Sequence, residues 1–116
     1  MQTIQTGEPT PLKRFAFTLR LREGMEAAYD EAHKAVWPEM LSMLIRGGIQ
    51  DYSIFRRGTL LFLTFMAADF ESTWSQFDSD PVNLRWQQAM APYFAPLQDL
   101  QPGERFPMMD EVFYLP

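Results

Sequence analysis

The feature that most limits the fold of this chain is the apolar run from Thr59 to Met66, TLLFLTFM. Bulky apolar side chains occupy consecutive positions, so a β-strand built from this run is apolar on both faces. Such a strand needs cover on both sides. Helices of the same chain can cover one face, and the other face needs a second layer. We predict that a sheet from a second copy supplies that layer, which makes the protein a homodimer.

Further strands are predicted around this run. Ile49 to Arg56, IQDYSIFR, precedes it across the tight turn Arg57-Gly58, which is typical of a β-hairpin. The segment from Arg14 to Arg22, RFAFTLRLR, alternates strictly between apolar and polar residues, as a half-buried strand does. A fourth strand is predicted from Asp110 to Leu115, DEVFYL.

A helix is predicted between the first two strands, because apolar residues recur there at three- and four-residue steps. These residues are Met25, Ala28, Ala32, Val36, Met40, Met43 and Leu44. The Trp37-Pro38 step should kink or close the helix, since proline lacks a backbone donor and clashes with the preceding turn. Gly47-Gly48 should end it, because glycine readily adopts the C-terminal cap conformation.

The second helical region is predicted after the hairpin. Asp69 is a suitable N-cap for a helix that reaches about Ser79. Asp80 and Pro81 then begin another helical segment, since a proline at the first helical position loses no hydrogen bond. The segment from Phe94 to Met109 is rich in Pro, Gly and Gln, and we expect a long loop that could act as a lid.

The predicted order is strand, helix, strand, strand, helix, strand. This order indicates an α+β, ferredoxin-like fold, the split β-α-β arrangement, with an antiparallel sheet and helices on one of its faces. Two such sheets packed face to face would form a dimeric α/β barrel. The length of 116 residues fits one domain over residues 13–116, and residues 1–12 are polar and proline-containing, which predicts a flexible tail.

Composition excludes several classes of function. The chain has no cysteine and one histidine, which excludes disulfides, thiol catalysis, thiolate metal sites and a His-rich metal site within one chain. A net charge of −5 argues against nucleic acid or an anionic membrane as partner. No segment has the apolar character of a signal peptide or a membrane helix. We therefore expect a soluble, cytoplasmic protein.

The single histidine, His33, lies four residues after Tyr29 and four before Trp37. On a helix this spacing places all three on one face. Aromatic faces stack on the C–H faces of sugars, and Tyr, His and Gln side chains bind hydroxyls, so the stripe is typical of a pocket for a small neutral polyol. The alternative is that His33 lies at the solvent-exposed rim of an amphipathic helix and has no catalytic role.

The sequence resembles the L-rhamnose mutarotase family from about Arg14 to Pro116. The resemblance rests on four pieces that occur in the family's order and spacing. They are Tyr29-x-x-x-His33-x-x-x-Trp37-Pro38-Glu39, Asp51-Tyr52-Ser53-Ile54, Arg85-Trp86 and Glu111-Val112-Phe113-Tyr114-Leu115-Pro116.

The resemblance implies an isomerase that interconverts the α and β anomers of L-rhamnose or a related 6-deoxy sugar, without metal or other cofactor. The family's proton donor falls on His33, and its sugar-contacting tyrosines fall on Tyr29 and Tyr52. Its tandem Trp-Trp falls on Trp86 and Gln87, so an amide replaces the second indole. Because of this change, L-fucose or another sugar is an alternative substrate.

Two other functions stay open at this point. The same dimeric barrel could handle haem or a quinone, with His33 as an axial ligand. The chain could also be a small-ligand binding or dimerisation module without catalysis.

Overall fold

Strand β3, Leu60–Ala67, is the middle strand of a three-stranded antiparallel sheet with the order β1-β3-β2. The other two strands are β1, Lys13–Arg20, and β2, Gln50–Arg57. The computed structural model describes residues 11–116. The predicted flexible tail therefore lies, apart from Pro11 and Leu12, outside the described residues. The central place of β3 agrees with the apolar run that predicted it.

Four α-helices pack on one face of the sheet. They are α1, Glu26–Lys34; α2, Pro38–Arg46; α3, Phe70–Asp78; and α4, Pro81–Met90, which continues into a short 3₁₀ turn, Ala91–Tyr93. The face of β3 toward the helices, made by Leu61, Leu63, Phe65 and Ala67, is buried. None of the helices within residues 11–116 is long and apolar enough to cross a membrane.

The caps of α3 and α4 follow the sequence prediction. The Asp69 carboxylate accepts a hydrogen bond from the Ser72 backbone N–H at 3.1 Å, and that of Asp80 accepts one from the Val82 N–H at 2.9 Å. Both bonds satisfy donors that a helix N-terminus leaves without an internal partner.

The first helical region is two helices, and the break lies at the predicted proline. Pro38 begins α2, and Trp37 has extended backbone angles, φ −56° and ψ 134°. The residue before a proline avoids the helical region, because the proline ring clashes with it. The spacing predicted that Trp37 continues the helical stripe of Tyr29 and His33. It does not, because the helix breaks before it. It caps α2 instead.

A β-bulge in β2 sets the direction of Tyr52. The register shifts between Gln50 and Ser53, and Asp51 has a φ of +51°. In a regular strand, residues three apart point to opposite faces. The bulge lets Ile49 and Tyr52 both face the helices, where both join the core.

The predicted fourth strand, Asp110 to Leu115, is wrong: these residues have no strand structure. The outer edge of β1 is bonded by the loop before them. The Met109 N–H donates to the Ala16 carbonyl at 2.9 Å, and the Ala95 N–H donates to the Arg20 carbonyl at 2.9 Å. Because the loop occupies this edge, residues 110–116 find no strand of their own chain there and extend away as an exposed arm, here named the C-terminal arm.

Candidate active site

A cavity of about 260 Å³ lies between the sheet, α1, α4 and the loop after α4. All five residues predicted from the sequence line it: Tyr29, His33, Tyr52, Trp86 and Gln87. A second cavity of about 250 Å³ continues toward α2 and shares His33, Tyr52, Trp86 and Gln87 with the first. The fold therefore brings together residues from three elements, and the role of each stays a prediction.

His33 lies in the last turn of α1, one turn after Tyr29, and the centres of the two rings are 4.1 Å apart. Its Nδ1 lies 3.0 Å from the Tyr29 backbone oxygen. A carbonyl oxygen can only accept, so Nδ1 carries the hydrogen and donates it. This bond selects the tautomer of the neutral ring and leaves Nε2 as the nitrogen that can exchange a proton with a ligand.

The two tyrosines of the cavity are held in the neutral form. Burial of the hydroxyl, together with the nearby Asp30 carboxylate, raises the pKa of Tyr29 to about 12. Burial, and then the proximity of Tyr29, raises the pKa of Tyr52 further above its ordinary value. A phenol in an apolar surrounding resists ionisation, because the charged form loses its hydration. At neutral pH both hydroxyls can donate and accept hydrogen bonds to a ligand.

The Asp30 carboxylate, which contributes to the raised pKa of Tyr29, is paired with an arginine. Asp30 accepts two hydrogen bonds from Arg56 of β2, at 2.8 Å from Nε and 2.6 Å from the terminal nitrogen. The hydrogen bonds from Arg56 lower the pKa of Asp30. The bidentate pair ties α1 to the sheet and keeps the carboxylate ionised, so Asp30 is a poor candidate for general acid.

Trp86 forms another wall of the cavity. It is buried, and its ring is nearly perpendicular to that of His33, at 5.6 Å and 84°. Trp37 packs against the other side of the wall, with ring centres 5.0 Å apart and an angle of 88° to Trp86. Trp37 therefore supports Trp86 although it lies outside the helical stripe. It lines neither of the two cavities.

Gln87 lies at the exposed rim and is joined to a buried amide one turn earlier. Its Nε2 donates to Asn83 Oδ1 at 3.2 Å, and Asn83 Nδ2 donates to the Phe77 backbone oxygen at 3.0 Å. Asn83 was not predicted from the sequence. A polar residue at the third position of a helix usually faces solvent, and nothing in the local sequence predicts the burial of this one.

The sequence also missed two aromatic walls of the cavity, Trp74 and Phe106. Trp74 belongs to the apolar run of α3, whose spacing predicts a core residue and gives no sign of a cavity. Phe106 lies in the loop and stacks on Phe17 at 4.3 Å and 8°. Loop residues have no periodicity, so no sequence signal places Phe106 there. The loop thus forms a wall of the cavity, in the place where a lid was predicted.

No group of three His, Cys, Asp or Glu side chains within residues 11–116 could hold a metal ion.

Comparison with known proteins gives a consistent result. A model of the L-rhamnose mutarotase family matches residues 14–115. The chain is 32% identical to the L-rhamnose mutarotase of Flavobacterium johnsoniae over 105 residues, which cover 88% of this chain and 94% of the relative. It is 31% identical to that of Rhizobium johnstonii over 106 residues, which cover 90% and 98%.

A solved structure agrees with the sequence comparison. The crystal structure of an L-rhamnose mutarotase from Formosa agariphila superimposes with a TM-score of 0.71 and 27% identity. The match covers 90% of this chain and 99% of the other.

Proposed function

Because this chain belongs to the L-rhamnose mutarotase family, an isomerase family, we propose that its cavity interconverts the α and β anomers of L-rhamnose by acid–base catalysis at His33. The observation that supports His33 most is its hydrogen bond to the Tyr29 carbonyl, which selects Nε2 for proton transfer. The cavity around it is walled by apolar and aromatic side chains with a few polar groups, as sites for small neutral ligands are.

The reaction needs a proton removed from the anomeric hydroxyl and a proton supplied to the ring oxygen. His33 Nε2 takes the proton of the anomeric hydroxyl, the bond between C1 and the ring oxygen breaks, and the ring oxygen takes a proton from the imidazolium. The open aldehyde turns, and the reverse steps close the ring on its other face. One imidazole can serve in both directions, because the same nitrogen can accept a proton and then release it.

The remaining residues are assigned to binding. Tyr29 and Tyr52 stay neutral, so they orient sugar hydroxyls and do not compete with His33 as bases. Trp86 offers an aromatic face for the apolar side of the sugar ring. Gln87 offers an amide at the rim.

The test is the rate at which the purified protein exchanges the anomers of L-rhamnose, measured by saturation-transfer NMR at substoichiometric protein. L-Fucose and common hexoses form the comparison panel. We expect acceleration for L-rhamnose. If the sugar changes Trp fluorescence but not the exchange rate, the protein binds without catalysis. If haemin instead gives a sharp stoichiometric Soret shift, the haem alternative is favoured.

We also propose that the protein is a homodimer that covers the outer sheet face. That face carries Phe55, which is 60% exposed, and Phe62 on the neighbouring strand. The C-terminal arm exposes four consecutive apolar side chains from Val112 to Leu115, with Phe113 79% exposed. Contiguous apolar surface of this kind is typical of an interface, and the arm begins beside the outer face, where Asp110 and Glu111 line a shallow groove with Phe62.

The dimer can be tested with charge substitutions and sedimentation velocity. Phe55→Asp and Phe113→Asp each place a carboxylate in the proposed interface, so we expect both to give monomers at micromolar concentration. Leu84→Asp is the matched control, because Leu84 is an exposed apolar residue of α4 on the helical side. A parent protein that sediments as a monomer would contradict the proposal.

A cytoplasmic location is proposed as well. Its support is the lack of cysteine, which suits a reducing compartment. Cell fractionation tests it.

A further inference from the structure

Two side-chain amides in series connect a backbone carbonyl to the rim of the cavity. The carbonyl is that of Phe77 at the end of α3, the buried link is Asn83, and the last member is Gln87. Asn83 is 9% exposed and lines the second cavity, and Gln87 lines both cavities.

The donor and acceptor of each hydrogen bond in this series follow from the Phe77 carbonyl. A backbone carbonyl only accepts hydrogen bonds, so Asn83 must turn Nδ2 toward Phe77. Its Oδ1 then faces Gln87, and an oxygen at that position requires a donor. Gln87 must therefore turn Nε2 toward Asn83, which directs Oε1 away from it. The Phe77 backbone carbonyl thus decides which end of the Gln87 amide is available to a ligand.

We propose that Gln87 determines substrate specificity through Oε1, which accepts a hydrogen bond from one ring hydroxyl of the sugar, and that Asn83 is its positioning residue. This inference rests on the proposed function of the cavity. The substrate class is a monosaccharide with a free hydroxyl at that ring position. Sugars that are deoxygenated or O-methylated there lose the donor and leave the amide oxygen without a partner.

A purely structural role for the pair makes a different prediction. Asn and Gln four residues apart stabilise a helix by themselves. In that case substitution would change stability but not the preference among sugars. The burial of Asn83 and the place of Gln87 in the cavity wall favour the functional role, and the two roles can be separated by measurement.

The experiment compares L-rhamnose with its 2-deoxy, 3-deoxy and 4-deoxy analogues by anomer exchange in NMR. For the parent protein we expect KM to rise about 3- to 10-fold for one analogue, the effect of a single neutral hydrogen bond. Gln87→Leu should raise KM for L-rhamnose and remove the difference for that analogue only, with kcat little changed. Gln88→Leu is the control, since Gln88 is exposed and lines neither cavity.

Asn83 is tested with two variants. Asn83→Asp keeps an oxygen for Gln87 Nε2 but loses the donor to Phe77, so stability should fall while the sugar preference persists. Asn83→Ala loses both hydrogen bonds, so both the stability and the sugar preference should fall. Equal sugar preference in the two variants and the parent would overturn the positioning role. If either variant fails to fold, Gln87→Leu at the exposed rim still decides the specificity role.

The two proposals fail in different ways. A parent protein that exchanges no sugar contradicts the proposed function. A parent protein that exchanges L-rhamnose rapidly, with Gln87→Leu keeping every analogue ratio, overturns only the inference about Gln87.

Discussion

Replacing His33 by asparagine and, separately, by glutamine distinguishes the two nitrogens of its ring. The asparagine amide nitrogen lies close to the position of Nδ1 and can still donate to the Tyr29 carbonyl. The longer glutamine carries its amide toward the position of Nε2. Neither amide takes up a proton near neutral pH. Both variants should therefore lose proton transfer, and only the asparagine variant should keep the local hydrogen bond.

The expected loss of rate is that of one general acid–base group, roughly 10²- to 10⁴-fold. This corresponds to about 3 to 5 kcal/mol in the activation free energy, because each tenfold change in rate is about 1.4 kcal/mol. The loss of stability should be smaller, about 1 kcal/mol, since His33 is half-buried and its ring packs mainly on Tyr29 and Trp86.

The assay is the exchange rate of L-rhamnose anomers by saturation-transfer NMR, with thermal unfolding followed by circular dichroism on the same samples. Lys34→Ala is the control on the same helix. Lys34 forms an exposed ion pair with Glu31, and such pairs contribute about 0–1 kcal/mol. We expect Lys34→Ala to keep the parent rate.

The reasoning is refuted if both His33 variants fold and exchange the anomers at the parent rate. A parent rate in the asparagine variant alone would show that Nε2 is not the proton carrier.

Two further predictions concern stability. The pKa of Tyr29 is raised to about 12 in the folded protein, so this tyrosine ionises first in the unfolded chain as the pH rises above 10. The stabilisation from the neutral phenol is therefore complete below pH 10, and about 2–3 kcal/mol of it is lost between pH 10 and 12. Denaturation at several pH values, with tyrosinate absorbance at 295 nm, checks this, and a titration of all tyrosines near pH 10 in the folded protein would contradict it. Gly47→Ala places a methyl group 2.6 Å from two ring carbons of the buried Phe77. We expect the free energy of unfolding, measured by urea denaturation, to fall by about 1–3 kcal/mol. An unchanged unfolding free energy would show that the ring moves aside freely.

Much of the architecture was predictable because its signals are local. The alternation of Arg14 to Arg22 predicted β1, the turn at Arg57-Gly58 predicted the hairpin, and the aspartate caps predicted where α3 and α4 begin. These features depend on neighbours within a few residues. The prediction of a fourth strand was wrong because its signal was not local. A strand needs a free sheet edge to pair with, and the loop already hydrogen-bonds to the outer edge of β1.

The candidate site divides in the same way. The spacing of Tyr29 and His33 placed both on one turn of a helix, and the structure agrees. The direction of the Tyr52 side chain, by contrast, depends on a β-bulge. Its place in the same cavity as Trp86 and Gln87 depends on how α4 packs. Asn83 and Phe106 had no signal, since burial of a polar residue and closure by a loop are long-range events.

The amino-acid order by itself determined the periodicities, the turns, the helix caps and the one histidine beside a tyrosine, because each of these follows from bonds and sterics over a few residues. Only the tertiary structure decided which walls meet around that histidine, among them Tyr52 and the loop residue Phe106, and that Asn83 is buried. Those outcomes depend on contacts between segments that are far apart along the chain, and such contacts are fixed only when the whole core packs.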